Sequence, residues 1–553
     1  MIRRLLTIAR RLRPLGLLWL ALAVEPALGA ECADMARVAL PDVAVTSAQM
    51  IKGGSFAEPQ MEGRPVRTHG ALPVFCHVQG VASPVAGSRI GFEVWLPQKA
   101  DWSGRLHMVG NGGFGSNLYY AQLAARVRRG DVGVATDTGH QGGSLTFGRH
   151  NRAAIEDWGF RAVHESVVAA KAITQAYYGR PASHNYFSGS STGGHQALME
   201  AQRYPDDFDG IIAGAPGNNR TALIMSFLWS FLKNHRPGQD GTPIVPVAKL
   251  AMVKKAVIAQ CDALDGVTDG VVSDPRACPF DPASLRCTAG DRADCLTAEQ
   301  VGTMQAIYQG PRDARTGRQI YPGYMVGSEG QGDEDSPLPG WAGYWANPAK
   351  TDEPQRVDFF RYWVHDDPDW NWWTFDWGAD VDHVRATMGP LLDAVDPDLS
   401  RFRARGGKLI LFMGWHDPVG AAPETIAYYE SVVARSGAAT AAARLADTQS
   451  FARLYMVPGM GHTAGGEGAT NMSNATRNSE PPVDDSLHDM GLALYDWVEK
   501  GQAPDALIAT KYAQGQGPAG RIAFQRPICV YPKVPRYRGG DTNSAASFTC
   551  ALP

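Results

Sequence analysis

The chain has 553 residues, 44% of them hydrophobic and 20% charged, with a formal net charge of −4. That length exceeds one compact core and predicts two or more domains. The near-neutral balance, with no long run of either sign, gives no electrostatic ground for nucleic acid or an anionic membrane as partner, so a small molecule is the expected ligand.

The chain opens on "MIRRLLTIARRLRP", which carries five arginines, followed by the apolar "LGLLWLALAV" and the small-residue stretch "EPALGA". This is the layout of a secretory signal over 1–30, cleaved near Gly29 or Ala30. The apolar run is too short for a bilayer anchor, so a secreted or periplasmic protein is expected. Eight cysteines follow: Cys32, Cys76, Cys261, Cys278, Cys287, Cys295, Cys529 and Cys550. An even number in an exported chain predicts disulfides. The close spacings favour 261/278, 287/295 and 529/550, which leaves Cys32 with Cys76. Zinc is the competing use, but no C-x-x-C pair occurs.

Six short apolar segments each run into a glycine-rich or polar loop: 105–113, 133–140, 184–190, 210–217, 408–418 and 453–462. Between them lie helical patterns. In 161–179, Ala162, Val167, Ala169 and Ile173 fall at roughly helical spacing before Gly179, and "TGGHQALMEAQRYP" is stopped by Pro205. Strands alternating with helices predict a mainly parallel sheet covered on both faces. The alternation lapses from 218 to 399, a stretch rich in Cys, Asp, Pro and Gly. Seven of the 14 tryptophans fall there, between Trp341 and Trp377. The expected organisation is a core of 31–217 and 400–553 with an insertion at 218–399, its tryptophans forming a small core, an aromatic wall over a binding site, or both.

Gly189-Ser190-Ser191-Thr192-Gly193 is a G-x-S-x-G that follows an apolar strand and opens a helix. Alone the motif is weak in a chain with 61 glycines. In that context it reads as the nucleophile elbow of an α/β hydrolase, with Ser191 projecting at the carboxyl end of the sheet. Acyl transfer also needs a base, a group that orients the base, and donors for the oxyanion. Asp417 follows a late strand, and His462 lies in the loop "PGMGH" after the next one. His488 is the rival base, but its surroundings read as an amphipathic helix, and His416 adjoins the acid. The oxyanion donors are expected from the amide of Thr192 and from "GNGGFG", at Gly112 or Gly113. A dinucleotide site in that loop is the weaker alternative, since the glycine spacing does not fit.

The segments "ATDTGH" (135–140), "GSSTGGHQALMEAQRYPDDFDGIIAGAPGNNRT" (189–221), "CDALDGVTDGVVSDP" (261–275), "FFRYWVHDDPDW" (359–370) and "GWHDP" (414–418) resemble the tannase and feruloyl esterase family. The resemblance spans nearly the whole mature chain. It implies an α/β-hydrolase core with a large inserted lid domain, acting on feruloyl, gallate or mono(2-hydroxyethyl) terephthalate esters, and it sets Ser191, Asp417 and His462 on the triad positions. It also implies structural calcium on Asp262, Asp265 and Asp269 with the carbonyls of Val267 and Val271; the residues alone read equally as a solvated acidic loop. The family typically joins a cysteine before the nucleophile to one after the histidine. Here those positions are Ser190 and Thr463, whose hydroxyls are expected to hydrogen-bond instead, worth about 1 kcal/mol. An inactive calcium-dependent binding module and a lipase or peptidase of the same fold are the competing readings.

Overall fold

The computed structural model describes residues 29–59, 66–330, 340–473, 480–513 and 520–553; all but the end of the expected signal segment lies outside them. Fifteen strands occur among these residues: β1 (Val43–Ile51), β2 (Gly54–Ala57), β3 (Thr68–Leu72), β4 (Phe75–Ala82), β5 (Ile90–Pro97), β6 (Arg105–Val109), β7 (Val132–Thr136), β8 (His184–Ser190), β9 (Gly210–Gly214), β10 (Lys408–Gly414), β11 (Ala452–Val457), β12 (Ala506–Tyr512), β13 (Ile522–Cys529), β14 (Val534–Tyr537) and β15 (Phe548–Ala551). Nine of them form one sheet in the order β1-β4-β5-β7-β6-β8-β9-β10-β11. From β7 to β11 every pairing is parallel, as the alternation of strand and helix predicts.

The first three strands of that order lie outside the six segments read from the sequence. β1, β4 and β5 pair antiparallel with one another, and β5 is antiparallel to β7, so the sheet is mixed. No helix separates these strands, so the strand–helix alternation used to find the others carries no trace of them.

Alternating residues of the central strands face opposite sides. Phe187, Ile211, Leu409, Leu411 and Leu454 enter one buried cluster with Val163, Val167 and Ile173 of the helix Ala162–Tyr178. That helix ends where Gly179 turns left-handed, as its sequence predicts. Tyr186, Ile212, Ile410, Phe412 and Tyr455 enter a second cluster with Leu494 and Trp497 of the helix Met490–Lys500. The sheet is thus covered on both faces, and its carboxyl edge is left to loops.

The chain between β9 and β10 adds no strand to any sheet among the described residues. Its helices Arg220–Asn234, Val247–Cys261, Ala298–Gln309 and Ala379–Leu392 share a hydrophobic cluster that includes Trp341, Trp345, Trp363 and Trp370. The tryptophans therefore follow the first of the two expectations for them. Two that remain partly exposed, Trp372 and Trp373, donate their indole N–H to Asp240 at 3.2 and 2.7 Å. The four disulfides pair as the spacings predict: Cys32–Cys76, Cys261–Cys278, Cys287–Cys295 and Cys529–Cys550.

Candidate active site

β8 ends at Ser190 and a helix begins at Thr192, so a single residue makes the turn between them. Ser191 takes φ 61° and ψ −119°, a conformation a side chain rarely adopts and one that costs about 1–3 kcal/mol. The turn is held from both sides: the Ser191 N–H donates to the Gly214 carbonyl at 2.9 Å, and its carbonyl accepts from His195 N–H at 3.0 Å. The glycines are required for closeness. A Cβ at Gly189 would come within 2.6 Å of the Gly193 Cα, and one at Gly193 within 3.1 Å of the Asn111 carbonyl oxygen.

Two further loops meet this elbow. Asp417 follows β10, and its Oδ1 accepts from the amides of Val419 and Gly420 at 2.7 and 3.1 Å. Its Oδ2 lies 2.8 Å from His462 Nδ1, and His462 Nε2 lies 2.9 Å from Ser191 Oγ. An ionised carboxylate only accepts, so Nδ1 carries the proton and Nε2 is left to accept from the serine hydroxyl. Asp417 and His462 are both buried. The rivals stand elsewhere: His416 Nδ1 faces Glu467 at 3.4 Å, and His488 pairs with Asp485 at 2.8 Å. His488 also precedes the helix Met490–Lys500, whose N-cap is Asp489, instead of lying within it.

The cleft over Ser191 and His462 is lined by Gly113, Phe114, Phe227 and Tyr344, with Arg220 and Arg356; Gly112 is not among its lining residues. Thr192 is the first residue of its helix, so its N–H has no partner within that helix. Its hydroxyl donates to the Gly113 carbonyl at 2.8 Å, which ties the glycine loop to the elbow. The rings at the cleft are phenylalanine and tyrosine. Among the described residues no tryptophan lines it, which corrects the expectation of an indole wall over the site.

The two arginines escaped the sequence reading. Arg220 is buried; its Nη2 reaches Thr192 Oγ1 only at 3.4 Å, and its Nε has no partner among the described residues. Burial, then the neighbouring Arg356, pulls its pKa down to about 10. Arg356 lies over the Phe114 ring, 5.3 Å from its centroid, beside Gly113. Asp393, whose charge Arg220 feels, is taken by the amide and hydroxyl of Thr221, each at 2.8 Å.

A family model described as tannase and feruloyl esterase matches residues 76–551. The chain belongs to this family. An esterase of Xanthomonas campestris is 39% identical, covering 96% of this chain and 92% of its own. A mono(2-hydroxyethyl) terephthalate hydrolase of Piscinibacter sakaiensis is 33% identical, over 87% of this chain and 86% of its own. The crystal structure of feruloyl esterase B from Aspergillus oryzae superposes with a TM-score of 0.83 at 27% identity, over 94% of this chain and 99% of that one.

Against that family's pattern, the Ser190 substitution does not behave as expected. Ser190 Oγ is buried with no hydrogen-bond partner among the described residues, and it presses on Gly214, where an added Cβ would sit 2.6 Å from it. The expected hydroxyl bond is therefore not made from Ser190. A buried unsatisfied hydroxyl is a cost, so Ser190→Ala is expected to leave ester hydrolysis within about twofold and to raise stability by about 1 kcal/mol, read from thermal melts.

The acidic loop of this family member closes on itself. Asp262 accepts from the amides of Asp269 and Gly270, Asp265 from Val267 N–H and Ser273 Oγ, and Asp269 from Val271 N–H. Asp269 also pairs with Arg526 on β13. Burial raises the Asp265 pKa, and the charges of Asp269 and Asp262 add to the rise. The all-oxygen donors suit a hard cation in kind. As folded, no three acidic, histidine or cysteine side chains among the described residues are gathered tightly enough to hold a metal, and Arg526 supplies part of the missing positive charge.

Proposed function

We propose that the protein is a serine esterase that hydrolyses esters of aromatic carboxylic acids. The observation that carries this reading is His462 bridging Ser191 Oγ and Asp417 at 2.9 and 2.8 Å. His462 Nε2 takes the hydroxyl proton as Ser191 attacks the ester carbonyl. Asp417 fixes the tautomer and stabilises the imidazolium, and the amides of Thr192 and Gly113 receive the developing oxyanion. Loss of the alcohol leaves an acyl-enzyme, which water cleaves with His462 again as base. Phe114, Phe227 and Tyr344 offer ring faces to the acyl group. Methyl ferulate hydrolysed by the wild type and not by Ser191→Ala is the expected result; no turnover of any aromatic ester by the wild type would overturn the reading.

A second reading refines the first: the acyl group carries an anion. Arg220 and Arg356 put two guanidinium groups at the cleft with no ion pair to either among the described residues, and an anionic substituent supplies the missing counter-charge. A half-ester of an aromatic dicarboxylic acid has that chemistry.

Export through the N-terminal segment is part of the proposal. Its support is the four disulfides, which persist in oxidising compartments, and no described helix is long and apolar enough to cross a membrane. Structural calcium is proposed on donor chemistry: Asp262, Asp265 and Asp269, with the carbonyls of Val267 and Val271, would hold the ion, whose charge would compete with Arg526 for Asp269. Chelation is then expected to lower the melting temperature by a few degrees and added calcium to restore it. A melt unmoved by both would exclude the ion.

A further inference from the structure

His462 sits in a hairpin whose ends are close: Gly468 N–H donates to the Gly459 carbonyl at 3.3 Å, and Gly461 N–H to Gly465 at 3.0 Å. Five residues beyond His462, Glu467 turns its carboxylate into the protein. It pairs there with Lys254, on the inserted helix Val247–Cys261, and lies 3.4 Å from Nδ1 of His416, the neighbour of Asp417. His416 N–H also donates to the Met460 carbonyl, on the same hairpin, at 3.0 Å. Three separate parts of the chain thus meet at one carboxylate.

The surroundings are dry. His416 is 3% exposed and Lys254 9%. On the far side of His416 lies Gly327, where a Cβ would stand 2.5 Å from Nε2. Beyond it is buried Glu329, whose Oε1 accepts from Tyr308 Oη at 2.6 Å and Gly327 N–H at 2.7 Å. Burial raises the Glu329 pKa. Burial would raise Glu467 as well, but the bond and charge of His416 and then Lys254 hold it down to about 2. From the other flank Lys511 donates to the Gly466 carbonyl at 2.8 Å.

We propose that Glu467, through its ion pair with Lys254, is a positioning residue for His462, and that it makes the seating of the inserted domain a condition for catalysis. The inference rests on the serine-esterase reading. A short hairpin closed by backbone bonds, and tied at its base to the inserted domain by a half-buried charge, has little freedom left for the imidazole at its tip. Releasing Glu467 frees that tip, and displacement of a catalytic group by about 1 Å costs on the order of a hundredfold in rate. The pair reaches His462's hairpin from the inserted domain, so loss from either partner should have the same consequence.

The test compares Glu467→Gln, Lys254→Met, the double variant and Lys254→Arg on p-nitrophenyl acetate, a substrate too small to need the inserted domain for binding. Each single variant is expected to lose about 10- to 100-fold in kcat with KM within about threefold. The double variant is expected to be no worse than the poorer single one, because the pair acts as a unit. Lys254→Arg is expected to recover most of the activity. Singles within twofold of wild-type kcat, or losses that multiply in the double variant, would overturn the proposal whatever the melting temperatures do. Should Glu467→Gln fail to fold, Glu467→Asp keeps the charge and shortens its reach. The same fall in kcat is expected from it, and wild-type kcat overturns the idea. A wild-type protein inert toward p-nitrophenyl acetate would instead remove the esterase reading itself.

Discussion

Ser191→Ala is expected to lower kcat on methyl ferulate by about 10⁶-fold, and His462→Ala by a similar amount, because nucleophile and base act as a unit and either loss disables both. Asp417→Asn should cost less, about 10⁴-fold. The reason is geometric. Asp417 Oδ1 is held by two backbone amides and Oδ2 faces His462 Nδ1. An amide replacing the carboxylate can turn its NH₂ toward that nitrogen, which reverses the tautomer and points Nε2–H at the serine. Combining Ser191→Ala with Asp417→Asn should cost no more than Ser191→Ala alone. Single-turnover measurements at saturating ester separate the chemical step from binding. A Ser191→Ala protein retaining more than about a hundredth of wild-type kcat would place the nucleophile elsewhere. None of these variants should unfold the protein: Ser191→Ala leaves the strained turn and its backbone bonds unchanged.

The meeting of Ser191, Asp417 and His462 was legible in the sequence because each sits where a parallel strand ends in a loop, and both strand and loop have local signatures. Apolar runs such as "KLILFMG" declare a strand buried on both faces, and the loop after it must then face the carboxyl edge. The antiparallel strands β1, β4 and β5 follow one another with no helix between them and were passed over, although β4 and β5 are just as buried. Ser190 was misjudged for a different reason. From sequence, a hydroxyl replacing a thiol looks able to find a partner, and only the packing against Gly214 reveals that it does not. Arg220 was invisible for the complementary reason: "GNNRT" reads as an ordinary helix start, and what distinguishes the arginine is a missing acid, which no local pattern records. The tryptophans of the insertion called attention to themselves by number, yet number reports burial as readily as binding.

That missing acid carries the second large effect. Two guanidinium groups near one another at the cleft repel, and burial penalises Arg220, so the pair lowers stability unless something negative enters. A carboxylate on the acyl ring is expected to be that group. Replacing Arg220 or Arg356 by glutamine should reduce kcat/KM for monomethyl terephthalate by about 10- to 100-fold each, the range for a lost hydrogen bond to a charged group. For dimethyl terephthalate and methyl ferulate, which present no charge there, kcat/KM should stay within a few-fold. Stability should move the other way: Arg220→Met exchanges a buried, poorly partnered cation for an apolar chain of similar length and is expected to raise the melting temperature as it abolishes the preference for the charged ester. A residue kept only for packing would lose stability on substitution and would not distinguish the charged ester from its neutral diester. A wild-type ratio of monoester to diester kcat/KM at or below one, unchanged in both glutamine variants, would assign the arginines to the wall of the cleft and leave the neutral aromatic esters as its substrates.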